Sequence, residues 1–453
     1  MKSSSFGDSF AWGAGISAFQ TEGAYNTYGK GLSIWDEFSL KKGKIKNHEN
    51  ANTACNFYDL YYKDIFLLKK LNIKNFKFSI SWPRIIPNGT GFLNMQGVDF
   101  YDRVIDLCLE LDITPWITLY HWDLPLALEK KGGWTRRNII NWFSDYVEVC
   151  ALKFGDRVKN WIVLNEPLAF TGVGHFLGYH APGKKGMDNF LPSLHHAVLC
   201  QAEGARILKE LCPSGIEVGT SFSFAHIEPY KQNVKDIIAA KKIDALYNRM
   251  FIEPSLGMGY PVNELPFLRA IEKYSFPGDE EKLKFQFDFI GVQAYTRELA
   301  KYSPFMPKIH ANIVPAKKRE VDVTEMKWEN YPEALFHTLK QVGSYPGVKK
   351  IYVTENGAAF NDILINDNIY DFKRTEYIQK SIAGMLRAKN EGVNVQGYFV
   401  WSLLDNFEWA EGYSPRYGIV HVDFKTLQRT VKQSGEWYGD FISGKHSHKV
   451  PCI

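Results

Sequence analysis

Glu166 stands in Asn165-Glu166-Pro167 directly after the apolar run Trp161-Ile162-Val163-Leu164, and Glu355 stands in Thr354-Glu355-Asn356-Gly357 directly after Ile351-Tyr352-Val353. Each carboxylate therefore closes a short strand-like segment. A carboxylate at the mouth of a buried strand is costly to leave dry and unpaired, so two of them point to function rather than accident. Two positioned carboxyl groups can cleave an acetal: one protonates the departing oxygen while the other stabilises or attacks the cationic anomeric carbon. Glycosidic bond cleavage is the chemistry this pair suggests. Carboxyls about 5 to 5.5 Å apart give direct attack and retention of configuration, whereas a gap of roughly 6.5 to 9.5 Å admits a water and inverts it. The separation along the chain, 355 − 166 = 189 residues, does not supply that distance.

Environment must divide the roles. The acid has to keep its proton near neutral pH, which burial and a neighbouring negative charge favour; the nucleophile has to stay ionised, which hydrogen bonds or a nearby cation favour. Pro167 biases Glu166 toward extended geometry, and Asn356-Gly357 supplies a tight turn behind Glu355. Taken singly, a Glu before Pro is as readily a loop residue, and Glu-Asn-Gly as readily a turn.

Short β-branched or aromatic runs recur along the chain: 10–16, 75–80, 115–120, 161–165, 217–222, 287–292, 351–355 and 396–401. Between them lie amphipathic stretches, such as 59–71, 97–111, 139–154 and 194–211, with apolar positions every three or four residues. Strand then helix, eight times over, predicts an α/β fold, a (β/α)8 TIM barrel whose active site lies at the C-terminal ends of the strands. Residues closing each run should then converge on one pocket: Gln20 and Glu22, Arg84, His121 and Asp123, Asn165 and Glu166, Tyr295, Glu355 and Glu408. Scattered solvated loop residues would not explain why the fourth and seventh runs both end in Glu.

The 453 residues, 45% hydrophobic and 23% charged, are ample for one large core. Without a Pro-, Ser- or Gly-rich linker or a break in composition, residues 1–453 read as a single barrel domain. Net charge is +4, from 54 Lys and Arg against 50 Asp and Glu, with the basic residues dispersed, so nucleic acid is not an expected partner. Basic runs such as Lys41-Lys42-Gly43-Lys44 are read as solvated loops. The N-terminal residues lack the apolar stretch of an export signal, and no apolar run is long enough to cross a membrane, so a cytoplasmic location is expected. Cys55, Cys108, Cys150, Cys200, Cys212 and Cys452 show no CxxC pair, which favours free thiols over disulfides or zinc.

The segments Phe78-Ser79-Ile80-Ser81-Trp82, His121-Trp122-Asp123-Leu124-Pro125, Asn165-Glu166-Pro167 and Thr354-Glu355-Asn356-Gly357 stand in the order found in glycoside hydrolase family 1. The resemblance begins at Phe10-Ala11-Trp12-Gly13 and Gln20-Thr21-Glu22-Gly23. It continues to Asp405-Asn406-Phe407-Glu408-Trp409 and Arg416-Tyr417-Gly418-Ile419-Val420-His421-Val422-Asp423, nearly the whole chain. It implies a β-glucosidase that retains configuration without a cofactor or metal, Glu166 serving as acid and then base and Glu355 as the nucleophile of a covalent glycosyl-enzyme. By similarity Gln20, His121, Trp122, Asn165, Glu408 and Trp409 would hold the sugar at the glycone site, Trp401 would lie under its ring, and Trp328 would line the aglycone side. Amides, imidazole and carboxylate pair with hydroxyls, and an indole face takes the apolar face of the ring. The partners implied are small β-glycosides or short oligosaccharides. Glu408 places a negative charge where relatives acting on phosphorylated sugars bind phosphate, so unphosphorylated sugars are expected. Glu166 also sets the chain apart from thioglucoside-cleaving relatives, which carry Gln there.

Two positions depart from the family pattern. Lys77 falls where the family usually has Arg beside the nucleophile; it keeps the charge and loses the planar fork. In Gln293-Ala294-Tyr295, where many relatives read Asn-Tyr-Tyr, Tyr295 is expected to hydrogen-bond Glu355, Ala294 to open space and Gln293 to lengthen an amide near the sugar. Relatives that have lost catalysis lack a catalytic Glu, and this chain has both. The choice among gluco, galacto and fuco sugars, the aglycone, the oligomeric state and the balance of hydrolysis and transglycosylation stay open in the sequence.

Overall fold

The structure, a computed structural model, describes residues 1–366 and 368–445; Cys452 and the last residues of the expected domain lie outside the described residues. Its strands are β1 (Ala11–Gly15), β2 (Asn75–Ser79), β3 (Thr114–Tyr120), β4 (Asn160–Asn165), β5 (Glu217–Pro229), β6 (Phe289–Tyr302), β7 (Ala311–Val314), β8 (Ile351–Asn356), β9 (Ile363–Ile365), β10 (Asn368–Tyr370), β11 (Val395–Trp401), β12 (Val420–Val422) and β13 (Arg429–Val431). Eight of them close a barrel in the order β1-β2-β3-β4-β5-β6-β8-β11 and back to β1, with every neighbouring pair parallel. These eight are the runs read from the sequence. Strands buried on both faces read as continuous apolar runs, which is why they were visible.

β5 and β6 outrun the expectation, ending at Pro229 and Tyr302 rather than at residues 222 and 292. Past the barrel rim they pair with each other from His226↔Arg297 to Pro229↔Ala300, and β6 then takes β7 as an antiparallel neighbour. Their outer halves carry His226, Glu228, Arg297 and Glu298 on half-solvated faces, so the apolar signal fades where the strands continue. The amphipathic stretches fold as Phe57–Lys70, Met95–Glu110, Ile139–Phe154 and Met187–Leu211. The last begins before the expected Leu194, because Pro192, which reads as a helix breaker, sits inside it.

The lower barrel is plugged by Trp116, Ile162, Phe289, Tyr352 and Phe399. Such rings fit because facing positions are glycine: a Cβ at Gly13 would stand 2.3 Å from the Phe399 ring, and one at Gly219 2.3 Å from the Phe289 ring. The main core fills the layer between barrel and helices. Cys55, Cys108, Cys150, Cys200 and Cys212 are buried free thiols. Among the described residues no helix is long and apolar enough to cross a membrane, and no cluster of His, Cys, Asp and Glu has metal-binding geometry.

Register irregularities re-aim the two strands that carry the glutamates. On β4, Ile162 belongs to the interior plug, so strict alternation would turn Leu164 inward and Asn165 outward; a shift between Ile162 and Asn165 reverses this. Leu164 packs in the outer core and Asn165 bonds inside the barrel. On β8, Tyr352 is in the plug and Val353 in the outer core, yet Glu355 faces inward, because the pairing with β6 slips between Val292 and Gln293. Bulges of this kind commonly redirect a side chain at an active site.

Candidate active site

A cavity of about 400 Å³ opens at the C-terminal ends of the barrel strands, and both Glu166 and Glu355 line it. That volume suits a small organic ligand. Around the same cavity stand His121, Trp122, Tyr295, Trp328, Trp401, Glu408 and Trp409. Gln20, Lys77 and Asn165, each at most 1% exposed, stand just behind its wall rather than on it.

The two glutamates meet opposite surroundings. Glu355 accepts from the Lys77 ammonium at 2.6 Å on one oxygen and from the Tyr295 hydroxyl at 2.7 Å on the other. Lys77 is held on station by Asn165 Oδ1 at 3.1 Å, and that oxygen also accepts from Gln293 Nε2 at 2.7 Å. Glu166 receives no side-chain hydrogen bond among the described residues. Burial, and after it the charge of Glu355, push its carboxyl well above the usual carboxylate range, with Lys77 opposing and Glu408 adding to the rise. A carboxyl kept protonated beside one that accepts on both oxygens is the division of labour that acid–base chemistry requires.

Glu166 is not extended, as Pro167 led one to expect. Its φ is +43°, in the left-handed region, with its N–H donating to Ser221 O at 2.9 Å. The chain turns there at once from β4 into the helical segment that starts at Pro167, and the turn overrides the local bias of the Pro. Trp122 (φ +77°) and Trp409 (φ +51°) are also left-handed and also line the cavity. Conformations of this kind cost on the order of 1–3 kcal/mol each and persist where surrounding structure fixes them. Here the Trp122 and Trp409 rings pack with centroids 4.5 Å apart, and Trp122 Nε1 donates to Asn165 O at 2.8 Å.

The opposite wall is built on the segment after β11. Gln20 Nε2 donates to Asn406 Oδ1 at 3.0 Å, Phe407 O at 2.9 Å and Glu408 Oε2 at 3.3 Å, while its Oε1 accepts from Ser17 at 2.6 Å. Burial and the charge of Glu355 push Glu408 up to about 8. Burial, with the Lys77 charge adding, holds His121 well below its ordinary value, so it is a neutral ring. Its Nε2 lies 3.2 Å from Asn165 Nδ2, an amide donor, which leaves the imidazole proton on Nδ1. His121 stacks beside Trp401 at 5.8 Å, and Lys77 Nζ lies 5.5 Å from the Trp401 ring centre. Trp328 packs on Tyr295 at 5.8 Å.

Not every strand-closing residue converges on the cavity. Glu22 and Arg84 form a buried ion pair at 2.8 Å, with Tyr101 donating to the same carboxylate at 2.5 Å, and Asp123 is buried outside the cavity lining. The first two lie beyond the strand ends, where the chain has already curled into the short helices Ala18–Thr21 and Trp82–Ile85. Ala294 opens no space at the site either. With Gln293 and Tyr295 pointing inward, alternation turns Ala294 into the outer core. Asn406, Tyr417 and His180 were missed. Asn406 and Tyr417 sit in motifs that did register, whereas nothing around His180 marks it as a cavity residue.

A sequence model described as glycosyl hydrolase family 1 matches residues 2–447. "Beta-glucosidase A" of Thermotoga maritima is 41% identical over 439 residues, covering 96% of this chain and 97% of that protein. "Beta-glucosidase A" of Acetivibrio thermocellus is 42% identical over 448 residues, covering 98% and 99%. The solved family 1 β-glucosidase of Thermotoga maritima in complex with isofagomine lactam superposes with a TM-score of 0.93 at 40% identity, over 97% of this chain and 99% of that one. Sequence and structure agree along nearly the full length, and the chain belongs to glycosyl hydrolase family 1.

Proposed function

We propose that the chain is a β-glucosidase releasing non-reducing terminal β-D-glucosyl residues from unphosphorylated O-glycosides with retention of configuration. The observation that carries this reading is the unequal setting of the two cavity glutamates. Glu166, its carboxyl held uncharged and given no side-chain hydrogen bond among the described residues, protonates the departing oxygen as Glu355 bonds to the anomeric carbon. Once Glu355 is an ester its charge is gone, and with it the second-largest influence holding the Glu166 proton. Glu166, now a carboxylate, takes a proton from water as that water attacks the anomeric carbon from the face the aglycone left, which breaks the ester bond and frees the Glu355 carboxylate.

Trp401 offers an apolar platform, and Gln20, His121, Asn165, Glu408 and Trp409 surround the sugar hydroxyls from the wall or from just behind it. Glu408 supports an unphosphorylated substrate in a different way from charge repulsion alone. Burial and the Glu355 charge push its carboxyl up to about 8, and no Lys or Arg is among the described residues lining the cavity, so a phosphate dianion would find no cation there. Galactosyl and fucosyl substrates present hydroxyls to the same groups, with preferences separated by about 1–3 kcal/mol.

The test is the first-formed product anomer from phenyl β-D-glucoside, followed by proton NMR. β-Glucose appearing before mutarotation supports the reading; α-glucose first, or no turnover, contradicts it. Lys77 gives a second expectation. Arg in its place retains the cation beside Glu355, so Lys77→Arg should change kcat by less than about tenfold, under roughly 1.4 kcal/mol of barrier. A steady-state change on the order of a hundredfold would assign Lys77 a task beyond supplying charge.

A further inference from the structure

The cavity has a second corner that the glycosyl chemistry does not use. β5 lies across the barrel from β1, and so from the wall that carries Gln20, with β6 next to it. Their extensions beyond the rim bring Ser223, Phe224, Thr296 and Glu298 into the cavity wall, where Trp328, Met326 and Tyr247 complete it. Most of this corner is apolar or already satisfied. The Thr296 hydroxyl, for instance, donates to Glu329 O at 3.0 Å.

Two groups there are unspent. No hydrogen bond among the described residues reaches the half-buried Glu298 carboxyl or the Tyr247 hydroxyl. Arg297, next along β6, points away and is occupied by Glu329 at 2.7 Å and Glu228 at 2.9 Å. Arg319 is the cation whose charge reaches Glu298, but it is engaged by Glu329 at 2.5 Å and does not line the cavity. Burial pushes Glu298 up to about 7, against Arg319 and with Glu329, and burial and Glu298 together push Tyr247 up to about 12. An acid left this way in an apolar wall is unfavourable unless a ligand satisfies it.

We infer that Glu298, with Tyr247 beside it, is a specificity-determining residue that selects leaving groups bearing hydrogen-bond donors, such as the hydroxyls of a second sugar or an ammonium group. This rests on the β-glucosidase reading, because only that reaction defines a leaving group on this side of Glu166. A carboxylate accepts from either kind of donor, Tyr247 adds a second polar contact, and Trp328 and Phe224 supply the apolar bed on which a ring lies.

The experiment compares kcat/KM of the wild-type chain, Glu298→Ala, Glu298→Gln and Tyr247→Phe on three substrates. Phenyl β-D-glucoside carries no donor on its leaving group, cellobiose carries hydroxyls, and 4-(aminomethyl)phenyl β-D-glucoside carries an ammonium. In Glu298→Ala the ratio of a donor-bearing substrate to the phenyl glucoside should fall by about tenfold or more, mainly through KM. A fall with cellobiose identifies hydroxyl donors, and a fall with the aminomethyl substrate identifies the ammonium. Glu298→Gln, which keeps an acceptor oxygen, should recover part of the cellobiose ratio and none of the ammonium ratio, an effect that general loss of folding would not produce. Ratios in Glu298→Ala unchanged within about twofold on both substrates would overturn the inference while leaving the β-glucosidase reading intact. Failure of the wild-type chain to hydrolyse any of the three would overturn that reading and this inference with it.

Discussion

Replacing Glu355 with Ala is expected to lower kcat on phenyl β-D-glucoside by more than about 10⁴-fold, because the residue supplies the bond that splits one difficult displacement into two easier ones. The loss should be chemical rather than structural, and the variant's circular dichroism should match that of the parent. Some destabilisation is also expected. Lys77, 1% exposed, loses its carboxylate partner, and breaking a buried ion pair costs about 3–5 kcal/mol. That stranded ammonium supplies a control. A small anion such as azide can occupy the vacated space beside Lys77 and attack the anomeric carbon, so adding it should restore turnover and give the α-glucosyl azide. Residual activity above about 1% without azide would place the nucleophile elsewhere.

Replacing Glu166 should produce a loss that depends on the leaving group. With a phenyl or sugar leaving group, Glu166→Gln removes proton donation and should lower kcat/KM by about 10²–10⁴-fold. A dinitrophenolate leaves without help, so glycosylation survives while the base needed to hydrolyse the ester is missing. The glycosyl-enzyme should then accumulate, seen as a burst of dinitrophenolate and a fall in KM. The pH profile carries the same information. Glu166 must be protonated in the first step and its proton affinity is raised by burial and by Glu355, so wild-type kcat/KM on the phenyl substrate should hold through neutral pH. It should fall as pH rises through that raised value. In Glu166→Gln, followed on the same phenyl substrate, this alkaline limb should disappear. An alkaline limb unchanged in the variant would assign the proton to another group.

The barrel was legible because its strands are apolar on both faces and its helices carry regular apolar stripes, and the glutamates were legible because they close two of those strands. What escaped the sequence has local physical causes. The slips in β4 and β8 that turn Asn165 and Glu355 inward reverse strand parity, and nothing in either run announces an extra residue. The rule for residues before Pro pointed Glu166 the wrong way, since the strand-to-helix turn outweighs it. Glu22 and Arg84 look like site residues in the linear pattern but neutralise each other in the core. The Glu298 corner lay beyond the point where the alternating half-solvated faces of β5 and β6 ceased to read as strand.

The central claim is that Glu355 forms a covalent bond to the sugar, and trapping that species tests it most directly. With 2,4-dinitrophenyl 2-deoxy-2-fluoro-β-D-glucoside, the fluorine slows both steps while the leaving group preserves the first. Mass spectrometry of the intact chain should therefore show one fluoroglucosyl group per molecule, and peptide mapping should locate it on Glu355. Dinitrophenolate released with no adduct, or an adduct on any other residue, would contradict the account.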